Sequence, residues 1–152
     1  MVDLMEEKMC LHDVDDIVID RLYDADDSLL NELLAEVEKQ LDFHDCNPKQ
    51  SMMIMVIVEE IFVNIAHYAY PDSKGNVHIL LGFKDDDMIM SFNDQGIPFD
   101  PLAKEDPDIH AGVEEREIGG LGIYMMKKSM DEVDYKRVDD HNILTIRKNI
   151  HK

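Results

Sequence analysis

The stretch "VEEIFVNIAHYAY" (residues 58–70) closes the most apolar run of the chain and carries the polar pair on which the fold turns. It ends a helix predicted over 49–70, "KQSMMIMVIVEEIFVNIAHYAY". The first half of that helix is apolar nearly all round, which places it centrally and mostly buried. Glu60 and Asn64 stand at i and i+4 on it, roughly 40° apart around the axis and about 6 Å along it. Polar groups on a buried helix are costly unless something satisfies them. A carboxylate beside an amide can offer oxygen ligands to a hard cation such as Mg²⁺, or a base next to a ligand. The other reading of the pair is the point where a helix meets solvent, with Glu59 and Glu60 as surface charges.

Working outward, "DIVIDRLY" (16–23) alternates like a strand, and "DADDSLLNELLAEVEKQL" (24–41) opens on cap residues. Leu29, Leu30, Leu33, Leu34, Val37 and Leu41 then form one apolar stripe at helical spacing. After the turn "PDSKGN" (71–76) come two strands, "VHILLGFK" (77–84) and "DMIMSFND" (87–94), joined as a hairpin. Residues 95–118 hold three prolines and two glycines with no period. A loop that long in a compact domain is usually functional or disordered. A helix near 120–130 and strands near 132–138 and 142–148 complete the chain. Hairpin pairs dominate and helices do not alternate with strands. This predicts an α+β two-layer sandwich, a mainly antiparallel mixed sheet with helices on one face. Residues 1–15 read as an acidic N-terminal arm and 16–152 as one domain.

Composition narrows the function classes. The 152 residues are 45% apolar and 32% charged, enough for one ordinary core and a solvated surface. No charge-free run of about 20 apolar residues is present, so no membrane span is expected. The N-terminus lacks the basic and apolar blocks of a secretory signal, which makes a cytoplasmic location the expectation. A net charge of −19 repels phosphate backbones and argues against nucleic acid and anionic membranes as direct partners. Cys10 and Cys46 have no zinc spacing, and the seven histidines are scattered. The apolar content, eleven methionines among it, leaves room for a homodimer face.

Two further constellations follow the helix pair. In "NDQGIPFDP" (93–101) Asp94 can accept a hydrogen bond from an amino group, and Gly96 would let a flat ligand approach the backbone. The same residues also make an ordinary strand-ending turn. In "IGGLGIYMM" (118–126) the glycines crowd at a helix start; five of the chain's seven (96, 112, 119, 120, 122) fall within 27 residues. Free N–H groups at a helix start bind phosphate well. Neither standard phosphate motif is matched: "KKS" (127–129) lacks its preceding glycine, and Met125 stands where a dinucleotide fingerprint needs a third. Close helix packing through small residues is the other reading.

In this order the three constellations resemble the GHKL (Bergerat-fold) ATP-binding family over about residues 16–149. "EEIFVNIAHYAY" is similar to its N box, "NDQGIPFD" to its first glycine box and "IGGLGIYMM" to its second. Within the family, "VEEIFVNIAHYAYPD" and "GGLGIYMMKKSMDEVDY" resemble the small anti-sigma-factor serine/threonine kinases. The resemblance implies ATP and Mg²⁺ as cofactors, with Asn64 on the metal and Glu60 as general base. It implies that Asp94 binds the adenine amino group and that Gly96 lets the ring sit against the backbone. Gly119, Gly120 and Gly122 would serve the phosphates, loop 97–118 would be a lid, and Thr145 would join the adenine pocket. The switch kinases tend to carry an arginine directly before the second glycine box. Here Ile118 holds that place and Arg116 stands two residues further out, as a nucleotide-binding lid residue or a surface charge. The implied function is transfer of the ATP γ-phosphate to an anti-anti-sigma partner, together with binding of a sigma factor. The alternative is a nucleotide-gated binding module with little or no transfer.

Overall fold

The computed structural model describes residue 14 and residues 16–103 and 121–152. The chain begins with β1 (Asp16–Asp24), a short 3-10 turn (Asp27–Leu29) and α1 (Leu30–Phe43). Next come α2 (Pro48–Asn64), prolonged by a π-helical turn (Ile65–Ala69), and the strands β2 (Asn76–Lys84) and β3 (Asp87–Asp94). A 3-10 turn (Pro101–Ala103), α3 (Leu121–Ser129), β4 (Glu132–Val138) and β5 (His141–Asn149) complete it. Every element expected from the sequence pattern is present. The expected arm, apart from Val14, and residues 104–118 of the long loop lie outside the described residues.

Local chemistry explains the boundaries. Asp26 opens the 3-10 turn, its Oδ1 accepting from Ser28 N–H at 2.9 Å. Asn47 caps α2 by accepting from Lys49 N–H at 2.9 Å, with Pro48 at the first helical position, where its missing N–H costs nothing. The β4–β5 hairpin turns through Asp139 and Asp140, both left-handed (φ 46° and 69°), as a two-residue primed turn requires.

The sheet has the order β1-β2-β3-β5-β4, and each of these pairings is antiparallel. The sandwich expected from the sequence is therefore present, with no parallel pair among the described strands. On one face Val77, Ile79, Leu81 and Phe83 of β2, Met88, Met90 and Phe92 of β3, and Leu144 and Ile146 of β5 share one core with the helices. Leu33, Val37 and Leu41 supply the buried stripe of α1, and Ile54, Ile57, Val58, Ile61 and Phe62 that of α2. Pro48–Ala69 is 22 residues long and apolar enough to cross a membrane by length and composition alone. One face of it, Ile54, Ile57, Val58, Ile61 and Phe62, is buried against the sheet, while Met52, Val56 and Tyr68 are exposed, so the expectation of a mostly buried helix holds for that face alone. The other sheet face holds a smaller buried cluster, Leu80 and Ile89, with Val14 packed against it.

Candidate functional site

The end of α2 changes its winding where the sequence places its polar pair. The α-helical bonds stop at Asn64 and a π-helical turn takes over through Ala69. Such turns in helices are often found at functional sites. The turn opens one wall of a cavity of about 540 Å³ that lies between α2, α3 and the ends of β3, β4 and β5. Glu60, Asn64 and Asp94 all line it, with Phe92, Ile123 and Leu144 among its apolar walls. Its size and mostly apolar lining with a few polar groups suit a ligand of nucleotide size. A smaller cavity of about 340 Å³ adjoins it, lined by Val56, Glu59, Glu60, Val63, Leu121 and Gly122. Glu60 and Val63 line both.

Asp94 is the last residue of β3 and is 5% exposed. Its Oδ1 accepts from Gly96 N–H at 2.8 Å and from Asn142 Nδ2–H at 3.0 Å. Both bonds fall on Oδ1 and neither on Oδ2, in a residue that lines the cavity. Burial pushes the carboxyl above its ordinary value, opposed by those two hydrogen bonds and by the charges of Arg137 and His141. The chain around it is pinned from several sides. Arg137 Nη1 donates to Gly96 O at 2.8 Å, and Gln95 N–H donates to Tyr70 Oη at 2.8 Å. Burial also raises the Tyr70 hydroxyl above its usual range.

The glycines have specific neighbours. A Cβ on Gly96 would lie 2.5 Å from both Ala69 Cβ and Ala69 O. The close approach Gly96 permits is thus to the π turn of its own chain, tied by Ile97 N–H donating to Ala69 O at 2.9 Å. Gly96 is not among the residues that line the cavity, and packing on Ala69 is by itself a reason for a glycine there. Gly122, second residue of α3, lies against the Glu60 stem: a Cβ there would come 2.4 Å from Glu60 Cβ and 2.6 Å from Cγ. This joins the start of α3 to the end of α2 through one side chain. Gly119, Gly120 and Arg116 lie outside the described residues.

Thr145 is not brought to the cavity. It pairs with Ser91 in the β3–β5 register, while its neighbours Leu144 and Ile146 belong to the core on the helix side. Alternation turns Thr145 to the opposite sheet face, where its hydroxyl and that of Ser91 are buried without a hydrogen-bond partner among the described residues. Asn142 takes a place beside Asp94 instead, at the same strand parity as Leu144 and Ile146. Sequence reading passed over Asn142 and Tyr135, both of which line the cavity. A signal was available for Asn142: an asparagine in phase with the core residues of a strand is a buried amide in search of partners.

The model of the histidine kinase-like ATPase domain matches residues 23–148, and the chain belongs to that family. Among curated relatives, serine-protein kinase RsbW of Bacillus cereus (strain B4264) is 28% identical over 93 residues, 59% of this chain and 58% of the relative. RsbW of Bacillus mycoides (strain KBAB4) is 27% identical over the same length and the same shares of both chains. The alignment thus spans less than two thirds of these relatives' own length. Among solved structures, the RsbU and RsbW domains of Rv1364c from Mycobacterium tuberculosis superpose with a TM-score of 0.60 at 14% identity, over 88% of this chain and 33% of that one. The SiaB-SiaC complex from Pseudomonas aeruginosa gives 0.55 at 17% identity, over 97% of this chain and 98% of the matched one. Both share the fold.

Proposed function

We propose that this chain binds ATP with Mg²⁺ and acts as a serine/threonine protein kinase of the anti-sigma type on an anti-anti-sigma partner. The observation that carries the reading is the single cavity lined by Glu60, Asn64 and Asp94, with Gly122 packed on the Glu60 stem. The printed name of the RsbW relatives, serine-protein kinase, supports the reaction class. Asp94 Oδ2 accepts from the adenine amino group, and Phe92, Ile123 and Leu144 enclose the base. Asn64 offers a carbonyl oxygen to Mg²⁺, which when bound neutralises phosphate charge, a need made greater by the −19 net charge. Glu60 holds the acceptor hydroxyl and takes its proton as the acceptor oxygen bonds to the γ-phosphorus and the bond to the ADP oxygen breaks. Gly119 and Gly120 would extend the N–H groups at the start of α3 toward the phosphates, and Arg116 would act from the lid. A sigma factor as second partner, and a cytoplasmic setting, complete the reading.

The test is incubation with γ-labelled ATP, Mg²⁺ and candidate anti-anti-sigma proteins, beside calorimetry of nucleotide binding. Binding with transfer of label to a serine or threonine is the expected result. Binding without transfer assigns the chain to the nucleotide-gated module instead, and absence of binding overturns the site.

A further inference from the structure

Asn142 is 6% exposed and uses every hydrogen-bonding position of its amide. Nδ2 donates to Asp94 Oδ1 at 3.0 Å and to the Ile97 carbonyl at 2.8 Å. Oδ1 accepts from the Tyr135 hydroxyl at 2.6 Å and from Phe99 N–H at 3.3 Å. The orientation of the amide follows from this chemistry: reversed, its oxygen would face a carboxylate and a carbonyl, and its nitrogen would face the Phe99 N–H. No side chain with one hydroxyl can hold four such partners.

We propose that Asn142 is a positioning residue for nucleobase selectivity: its amide holds the Asp94 carboxylate so that Oδ2 alone is offered to the cavity, as an acceptor. The inference rests on the nucleotide reading above. Rotating the Asp94 carboxylate out of its present plane breaks the bonds from Asn142 Nδ2 and Gly96 N–H together. A fixed acceptor welcomes the 6-amino group of adenine, a donor, and repels the 6-oxo group of hypoxanthine, an acceptor. Without the amide, the buried carboxyl is free to turn or to hold a proton, and a protonated Asp94 donates to a 6-oxo group. Tyr135 belongs to the same device, because its hydroxyl anchors the far end of the amide at 2.6 Å.

The experiment measures dissociation constants for MgATP and MgITP with the full chain and its variants, beside thermal unfolding. The wild-type chain should prefer ATP by about 100-fold or more, as sites built to bond one polar group do. Asn142→Ser should cut that ratio about tenfold, and Tyr135→Phe about threefold, the milder change leaving the fold intact. A folded variant that weakens both nucleotides equally keeps the ratio and counts against the inference. If Tyr135→Phe and every folded Asn142 variant keep the wild-type ratio, the inference is overturned. A wild-type chain that binds neither nucleotide overturns the nucleotide reading. One that binds both alike removes the role of Asp94 and of Asn142 while leaving the nucleotide reading standing.

Discussion

The two ends of the cavity are built differently. At the β3–β5 end, Asp94 and Asn142 are nearly inaccessible and held by a closed set of hydrogen bonds to Gly96, Ile97, Phe99 and Tyr135. At the α2–α3 end, Glu60 and Asn64 are half-buried on a helix, and Glu60 is held by the packing of its stem against Gly122. On the proposed reading the contrast separates two tasks. Reading a flat base needs fixed acceptors and donors in a dry site. Delivering a phosphate to a changing acceptor needs groups that the acceptor can reach, and Glu60 opens onto the second cavity as well as the first.

The sharpest way to break this division is Glu60→Gln. Transfer to a protein acceptor should fall about 10²–10⁴-fold, the range for a lost general base. ATP affinity, read by calorimetry, should stay within about threefold, because a residue proposed as the base does not bind the nucleotide. Equal loss of both would erase the distinction between the ends.

Asp94→Asn strikes the other end. The amide oxygen can keep the bonds from Gly96 and Asn142, while a donor now replaces the Oδ2 acceptor. ATP affinity should drop about 100-fold, since a charge-assisted bond is lost and two donors face each other. Stability should move the other way with pH. Because burial lifts the Asp94 carboxyl above its ordinary value of 3.8, its contribution is present below that value and is lost as pH rises through the folded-state value. Thermal melts from acid to neutral pH should show that loss in the wild type and not in Asp94→Asn.

Gly122→Ala tests the joint between the ends. The added methyl would meet the Glu60 stem at 2.4 Å and must displace it. Transfer should fall about tenfold, with a stability loss on the order of 1 kcal/mol from overpacking. An unchanged rate would show that Glu60 does not need this seat.

The smallest effect lies away from both ends. His151 is exposed, and its pKa is raised by the His44 carbonyl and by Asp86, which it meets at 3.0 and 2.9 Å. Its contribution is present below about pH 6.5 and is lost as pH rises through the raised folded-state value. His151→Ala should flatten that slight slope in melting temperature and leave ATP affinity untouched.

Much of this architecture was legible in the chain. Apolar spacing located the three α-helices and five strands of the described residues, because period and caps are local properties. Glu60 and Asn64 were legible for the same reason: four residues on one helix cannot separate far. What failed was judged from residue type without geometry. Thr145 looked suited to a polar pocket, but its strand parity differs from that of Leu144 and Ile146, and one residue of parity exchanges the two faces of a sheet. Gly96 looked like room for a ligand, and packing on Ala69 is by itself a reason for a glycine there.

By itself, then, the sequence determined the order of the elements, the i and i+4 seat of Glu60 and Asn64, and an acidic surface that makes a counter-ion necessary for a phosphate ligand. Tertiary structure alone decided that Gly122 seats Glu60, that Asn142 and not Thr145 stands beside Asp94, and that both bonds to the Asp94 carboxyl fall on Oδ1. The physical reason is distance along the chain. Asp94 and Asn142 are 48 residues apart and meet only through the β3–β5 register, and Glu60 and Gly122 meet only where α2 and α3 pack.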